Sequence, residues 1–132
     1  METIRVRYAE TDKMGVAHHS SYLLWFELGR TGLLRAAGYS YRDLEAEGCM
    51  LPVVEYGAQF HKGAHYDDLL EILTTVREMR SRVLAFDYRV MRDGEAIAHG
   101  FTRHVWVDAN NRPRHVRDGI LEAITPFHAN PD

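Results

Sequence analysis

Between residues 19 and 37 the chain puts apolar side chains on almost every face of a helix. Tyr22, Leu23, Leu24, Trp25, Phe26, Leu28, Leu33, Leu34, Ala36 and Ala37 leave charge only at Glu27, Arg30 and Arg35. A helix of this kind has to be enclosed on most sides, so the rest of the chain must supply the enclosure. Gly38 stops it, and Glu27 and Arg30 stand three apart, the spacing of a pair on one helix face. A second, short helix over residues 40–47 is capped by Ser40, with Asp43 three later, and ends at Gly48; it reads as peripheral.

From residue 51 the period of the pattern changes to two. Segments near 51–62, 69–80, 82–92 and 95–107 read as strands. In the third, Leu84, Phe86, Tyr88 and Val90 alternate with Ala85, Asp87 and Arg89, and Asp93-Gly94 is a hairpin signal, so consecutive strands are antiparallel neighbours. The fourth carries Ala96, Ala98 and Gly100 on one face, small enough to let a thick helix approach. Asn110-Asn111-Arg112-Pro113 breaks the pattern, and a short helix around 117–124 closes the chain. With the alternating segment Ile4-Arg5-Val6-Arg7-Tyr8 as a first strand, the plan is α+β: about five antiparallel strands in a curved sheet wrapped around one long helix.

No repeat, low-complexity tract or linker divides the chain, so residues 1–132 read as a single domain, and 45% hydrophobic residues suffice for a core. A net charge of −3 argues against a nucleic-acid binder. No apolar run approaches the ~20 residues that span a bilayer, and the N-terminus lacks a signal-peptide core, which points to a cytoplasmic protein without a membrane role. Cys49 has no partner for a disulfide or a CxxC site and reads as a small buried apolar side chain.

Chemistry concentrates in residues 8–22. Asp12 follows the first strand, Met14-Gly15 signals a turn, and His18, His19 and Ser20 lead into the long helix, with Ser20 a candidate N-cap. The first N–H groups of that helix have no intrahelical acceptors and carry the positive end of its dipole, so an oxyanion would be stabilised there. From spacing alone the same residues read equally well as an ordinary cap and turn. Of Asp12, His18, His19, His61 and His65 only His61 and His65 stand four apart, in a strand-and-loop stretch rather than on a helix, and no CxxC accompanies them, so no metal is expected.

Three blocks in order carry a resemblance. Tyr8, Glu10, Thr11, Asp12, Gly15, Val16, His19 and Tyr22 follow the pattern Tyr-x-Asp-Thr-Asp-x-x-Gly-Val-x-x-His-x-x-Tyr; Trp25-Phe26-Glu27-Leu28-Gly29-Arg30-Thr31 and the stretch from Phe60 to Leu69 continue it. The chain resembles the hot-dog-fold acyl-CoA thioesterases, in particular the 4-hydroxybenzoyl-CoA thioesterase and YbgC-like branch, from about residue 4 to about 108. It departs at Glu10, where Asp is common, and at Gly63, where Pro is common and where glycine is expected to loosen the loop.

The resemblance implies hydrolysis of an acyl-CoA thioester to free acid and CoA, with no cofactor. Asp12 matches the family's catalytic aspartate, as nucleophile or as general base, and the oxyanion donor is a backbone N–H near His19. His19 matches a histidine common in this branch and is a second catalytic candidate. Gly15, Val16 and His18 are expected beside the substrate. A rival hot-dog branch places its carboxylate on the long helix, where Glu27 stands, but its spacing to Arg30 favours a structural pair. Lys62, Arg80 and Arg82, with Arg77, are the cations expected to meet the CoA phosphates. Family sites lie between protomers, which implies a homo-oligomer, a dimer within a tetramer. The alternative function is a hot-dog domain that binds acyl-CoA or a related ligand without turnover, as a sensor or carrier.

Overall fold

A computed structural model describes residues 1–128. Five strands form one antiparallel sheet in the order β1-β3-β4-β5-β2: β1 (Glu2–Arg5), β2 (Val53–Phe60), β3 (Leu69–Met79), β4 (Val83–Arg92) and β5 (Glu95–Val105). The long helix α1 (His19–Ala36) lies across one face, and two short helices, α2 (Tyr41–Ala46) and α3 (Ile120–Ile124), pack at the periphery. The α+β plan expected from the alternating strands, one antiparallel sheet against one long helix, is the one observed, in keeping with the hot-dog fold that the resemblance implies. Asp93 and Gly94, with φ of 51° and 80°, make the two-residue turn from β4 to β5, because only primed turns match the twist of paired strands. Gly38, at φ 97°, terminates α1 as expected.

The core is the interface between α1 and the helix-facing side of the sheet. Tyr22, Trp25, Phe26, Leu33 and Leu34 of α1 meet Leu70, Ile72 and Val76 of β3, Phe86, Tyr88 and Val90 of β4, and Ala98 of β5. Phe26 stacks on Tyr88 with ring centres 4.4 Å apart. Two glycines make the approach possible: a Cβ on Gly29 of α1 would strike the Thr74 hydroxyl, and one on Gly100 of β5 would lie 2.8 Å from the Phe26 ring.

Several expectations are corrected here. The first strand stops at Arg5, since Tyr8–Glu10 turn into a 3-10 helix. Ala96, Ala98 and Gly100 do not share one face, because a bulge opposite Val90 and Met91 re-aims the strand and buries Ile97 together with Ala98. Glu27 and Arg30 form no ion pair among the described residues; Arg30 instead turns towards Tyr88 and His104. Ser40 precedes α2 without a side-chain capping bond. The closing helix begins at Ile120, after Gly119 at φ 89°. Nor is α1 enclosed on most sides. One sheet covers one side, and Leu24 and Leu28 remain 52% and 47% exposed.

Gly100→Ala should lower stability by about 1–3 kcal/mol, since its methyl group would press on the Gly57 carbonyl oxygen at 2.5 Å and on the Phe26 ring. Urea unfolding should show a lower midpoint at unchanged slope; an unchanged midpoint would mean that α1 and β5 can separate freely.

Candidate active site

Asp12 opens a closed turn. Its N–H donates to the Val16 carbonyl (2.8 Å), its carbonyl accepts from Gly15 N–H (3.1 Å), and Gly15 takes φ 78° to complete the reversal. One carboxylate oxygen, Oδ1, accepts from the N–H groups of Met14 (2.8 Å) and Val16 (3.1 Å). Two donors on one oxygen orient the carboxylate and leave Oδ2 without a protein partner among the described residues. The carboxylate is exposed in the single chain.

Glu10 anchors this turn to the helix. It is only 7% exposed, and its carboxylate accepts from Arg7 N–H (2.8 Å) and from the Trp25 indole N–H (3.0 Å). Its own carbonyl accepts from His18 N–H (2.8 Å) and from the Ser21 hydroxyl (3.0 Å). Burial pushes the Glu10 carboxyl up, but these hydrogen bonds and the Arg7 guanidinium outweigh it and hold the group below its usual value. The sequence reading treated Glu10 only as a departure from a pattern. A carboxylate fifteen positions before a helix tryptophan carries no local signal of the contact between them.

The helix begins at His19, with His18 as N-cap, so Ser20 is not the cap. The Glu10 carbonyl, holding His18 and Ser21 from outside the helix, does the work expected of a Ser20 hydroxyl. The N–H of His19 has no acceptor among the described residues and points outward from the helix start. The His19 imidazole stacks on Phe60, centres 4.6 Å apart and 10° from parallel, and makes no hydrogen bond to Asp12. It borders a groove of about 370 Å³ between α1 and β2, lined by Tyr22, Leu23, Phe26, Tyr56 and Ala58.

The segment from β2 to β3 braces the Asp12 turn from the other side. Ala17 N–H donates to the Ala64 carbonyl (2.8 Å), and Val16 pairs with His65. Arg92 donates to the Gly63 carbonyl (2.9 Å) and to Asp68 (2.8 Å), which also accepts from His65 N–H (2.8 Å). Burial raises the Asp68 carboxyl, yet the His65 N–H and Arg92 prevail and hold it low. Gly63 was expected to loosen this loop. Its lack of a side chain also serves packing: a Cβ there would lie 2.9 Å from the Val16 side chain, so glycine is what lets Val16 seat. The Tyr22 phenol, facing Ala64 N–H, is pushed up by its burial.

Asp12, Gly15, Val16, His18 and His19 are therefore brought together, with Lys62 next to Gly63. The other cations are not. Lys62 Nζ pairs with Glu95 (2.8 Å) beyond the end of β2, whereas Arg80, paired with Glu78 (3.2 Å), and Arg82 occupy the β3–β4 turn. Eleven residues of β3 separate these two ends of the sheet, a span of about 33 Å at strand rise. Arg77 lies over the Phe101 ring at 4.6 Å. No group of three or more His, Cys, Asp or Glu among the described residues is arranged to hold a metal ion.

Residues 6–126 match the family described as the thioesterase-like superfamily. The chain belongs to it. It is 33% identical over 106 residues to the acyl-CoA thioesterase YbgC of Haemophilus influenzae, covering 80% of this chain and 78% of that one. Among solved structures it is similar to a hypothetical protein of Thermus thermophilus, with 42% identity, a TM-score of 0.91, and 96% and 98% of the two chains covered. It is also similar to the DHNA-CoA thioesterase of Staphylococcus aureus, with 29% identity and a TM-score of 0.84 over 95% and 82% of the chains. For a thioesterase-like chain the Glu10 anchor matters because it links the turn that presents Asp12 to the helix whose first N–H lies free.

Glu10→Gln should weaken this link by about 1–3 kcal/mol at pH 7, since it exchanges charge-assisted hydrogen bonds for neutral ones at a buried group. A carboxyl held low in the folded chain stabilises above its unfolded pKa, near the ordinary 4.5, and that stabilisation is lost as pH falls through the folded value. The gap between wild type and Glu10→Gln should therefore be full at pH 7 and shrink below about pH 4.5, read from urea midpoints at several pH values. A gap independent of pH would remove the charge from this account.

Proposed function

We propose that the chain hydrolyses acyl-CoA thioesters and that Asp12 carries the reaction. The supporting observation is the split carboxylate: Oδ1 is occupied by two backbone donors and Oδ2 is free, beside a helix start whose first N–H has no acceptor. A thioester carbonyl is already activated, so a positioned carboxylate and a polarising donor suffice. With the carbonyl oxygen at the N-terminus of α1, Asp12 either takes a proton from an attacking water, which expels the CoA thiol and gives the free acid directly, or attacks the carbonyl carbon itself, expelling the thiol and forming an acyl anhydride that water then hydrolyses to the free acid and Asp12. His19, on the groove wall, orients the acyl group or passes a proton, and His18, Gly15 and Val16 border the reacting atoms.

The same reading includes assembly. β2 is an edge strand with Val54, Tyr56 and Phe60 exposed by 53%, 58% and 42%. An uncovered edge of this kind invites pairing, and two copies joined β2 to β2 would continue the sheet and roof the groove beside His19. Antiparallel pairing about a twofold axis sets the Phe60 end of one strand against the Val53 end of the other, so Asp12 of one protomer faces its partner. A dimer within a tetramer, in the cytoplasm, completes the reading; no described helix is long and apolar enough to cross a membrane. In this reading Lys62 meets the CoA phosphates of its own site, and Arg80 and Arg82 serve only across protomers.

Asp12→Asn should lower kcat at least ~100-fold while leaving the melting temperature and assembly near wild type, because it removes the base or nucleophile without making a cavity. His19→Ala keeps the backbone donor and should lose only ~10-fold. If the imidazole transfers a proton in the slow step, the pH dependence of kcat should change in His19→Ala. Near-wild-type turnover by Asp12→Asn in an acyl-CoA panel assayed by free thiol would leave the domain a binder rather than an enzyme.

Lys62→Ala should raise KM for an acyl-CoA while leaving KM for the corresponding pantetheine thioester, which lacks the nucleotide phosphates, close to wild type. Equal effects on both substrates would make the Lys62–Glu95 pair structural.

A further inference from the structure

A second cavity, of about 210 Å³, opens where α1 passes the start of β2, lined by Glu27, Arg30, Thr31, Tyr41, Leu51 and Val53. Behind it runs a buried chain of polar groups. His104 Nδ1 lies 3.1 Å from the Leu51 carbonyl, Thr102 Oγ1 is 2.8 Å from His104 Nε2, and Tyr88 Oη is 2.6 Å from Thr102 Oγ1. The direction of this chain follows from its end. A carbonyl can only accept, so Nδ1 donates to Leu51; a neutral His104 then accepts at Nε2 from Thr102, and Thr102 accepts from Tyr88. Burial and the nearby Arg30 press His104 down to about 4, which keeps it neutral at physiological pH.

Every donor of the chain is thereby spent, and the Arg30 guanidinium lies close enough to act by its charge on both the Tyr88 hydroxyl and His104. A guanidinium has five N–H donors, most of them unused here. Arg30 is half-buried, yet no carboxylate lies within 4.0 Å of it among the described residues; Glu27, on the cavity rim, is exposed and does not reach it. A cation withdrawn from water without a counter-ion is costly, and the geometry leaves its remaining donors to whatever fills the cavity.

Between Arg30 and the helix start, the groove wall is apolar: Leu23 and Phe26 from α1, Tyr56 and Ala58 from β2. The eleven residues from His19 to Arg30 span about 16 Å along the helix, a distance that an extended chain covers in roughly a dozen bonds. We propose that this cavity receives the far end of the acyl group, that Arg30 binds a terminal carboxylate there, and that the preferred substrates are ω-carboxyacyl thioesters of about this length. This inference rests on the acyl-CoA thioesterase reading and names the class of acyl group.

The test compares dodecanedioyl-CoA with dodecanoyl-CoA, which share a chain length and differ in the terminal charge. Wild type should favour the diacid thioester at least ~10-fold in kcat/KM, a charge-assisted hydrogen bond's worth of preference. Arg30→Gln should abolish that preference by slowing the diacid substrate while leaving dodecanoyl-CoA within about twofold, and Arg30→Lys should retain part of it. Direct binding of free dodecanedioate, measured by calorimetry on wild type and Asp12→Asn, gives a readout independent of turnover and should vanish in Arg30→Gln. Hydrolysis of both thioesters with no preference, or equal losses on both in Arg30→Gln, overturns the carboxylate site and leaves the thioesterase reading intact. Arg30-dependent diacid binding without turnover of any acyl-CoA overturns the enzyme reading and leaves the site.

Discussion

The buried Glu10 carboxylate is the contact on which the rest of this arrangement depends. It gathers the Arg7 N–H, the Trp25 indole and the Arg7 guanidinium at one end, while its main-chain carbonyl holds His18 and Ser21 at the other. One residue therefore joins the 3-10 turn before Asp12 to the first and second turns of α1. Without it, the Asp12 turn and the helix start would be neighbours in sequence with no fixed orientation between them. The brace from the β2–β3 segment acts on the opposite side, through Ala64, Val16 and Arg92, so the turn is held between the buried Glu10 carboxylate and the half-buried Asp68 one.

The parts of this architecture that were legible in the sequence are those with local causes. The span of α1 was readable because Gly38 must take a left-handed conformation to end it, and the β4–β5 hairpin because Asp93-Gly94 suits a primed turn. Alternation in β4 gave the buried face directly. Asp12 was legible as a loop carboxylate surrounded by backbone donors, and the family resemblance placed it in a site. The missed features are those decided between distant residues. Glu27 and Arg30 have the spacing of a pair, but the guanidinium turns instead towards the Tyr88 hydroxyl, fifty-eight positions beyond Arg30. The bulge near Ile97 depends on β4 opposite it, and the cations that looked like one cluster are separated by the length of β3.

The apolar surplus of α1 has a similar explanation. Its composition demands cover on most sides, and a single five-stranded sheet covers one. Leu24 and Leu28 remain open on the helix, and Tyr56 and Phe60 remain open on the adjoining edge strand. Composition therefore recorded the surface that the helix requires, whereas the single chain supplies only part of it. Tyr56 and Phe60 also line the groove that begins at His19, so assembly and substrate enclosure are expected to draw on the same surface.

The division of labour within Asp12 follows from how a small domain can hold a reactive group at its surface. Main-chain donors cannot rotate away, and a turn closed by Gly15 keeps two of them on Oδ1. Side-chain donors in their place would have added flexible rotamers at the point where orientation matters most. A carboxylate is in any case a modest base or nucleophile. A thioester tolerates that weakness, because its carbonyl is activated and its thiol leaves readily, whereas an amide would not. A carboxylate held by the backbone, next to an open helix start and without a histidine bonded to it, is chemistry matched to an activated acyl group.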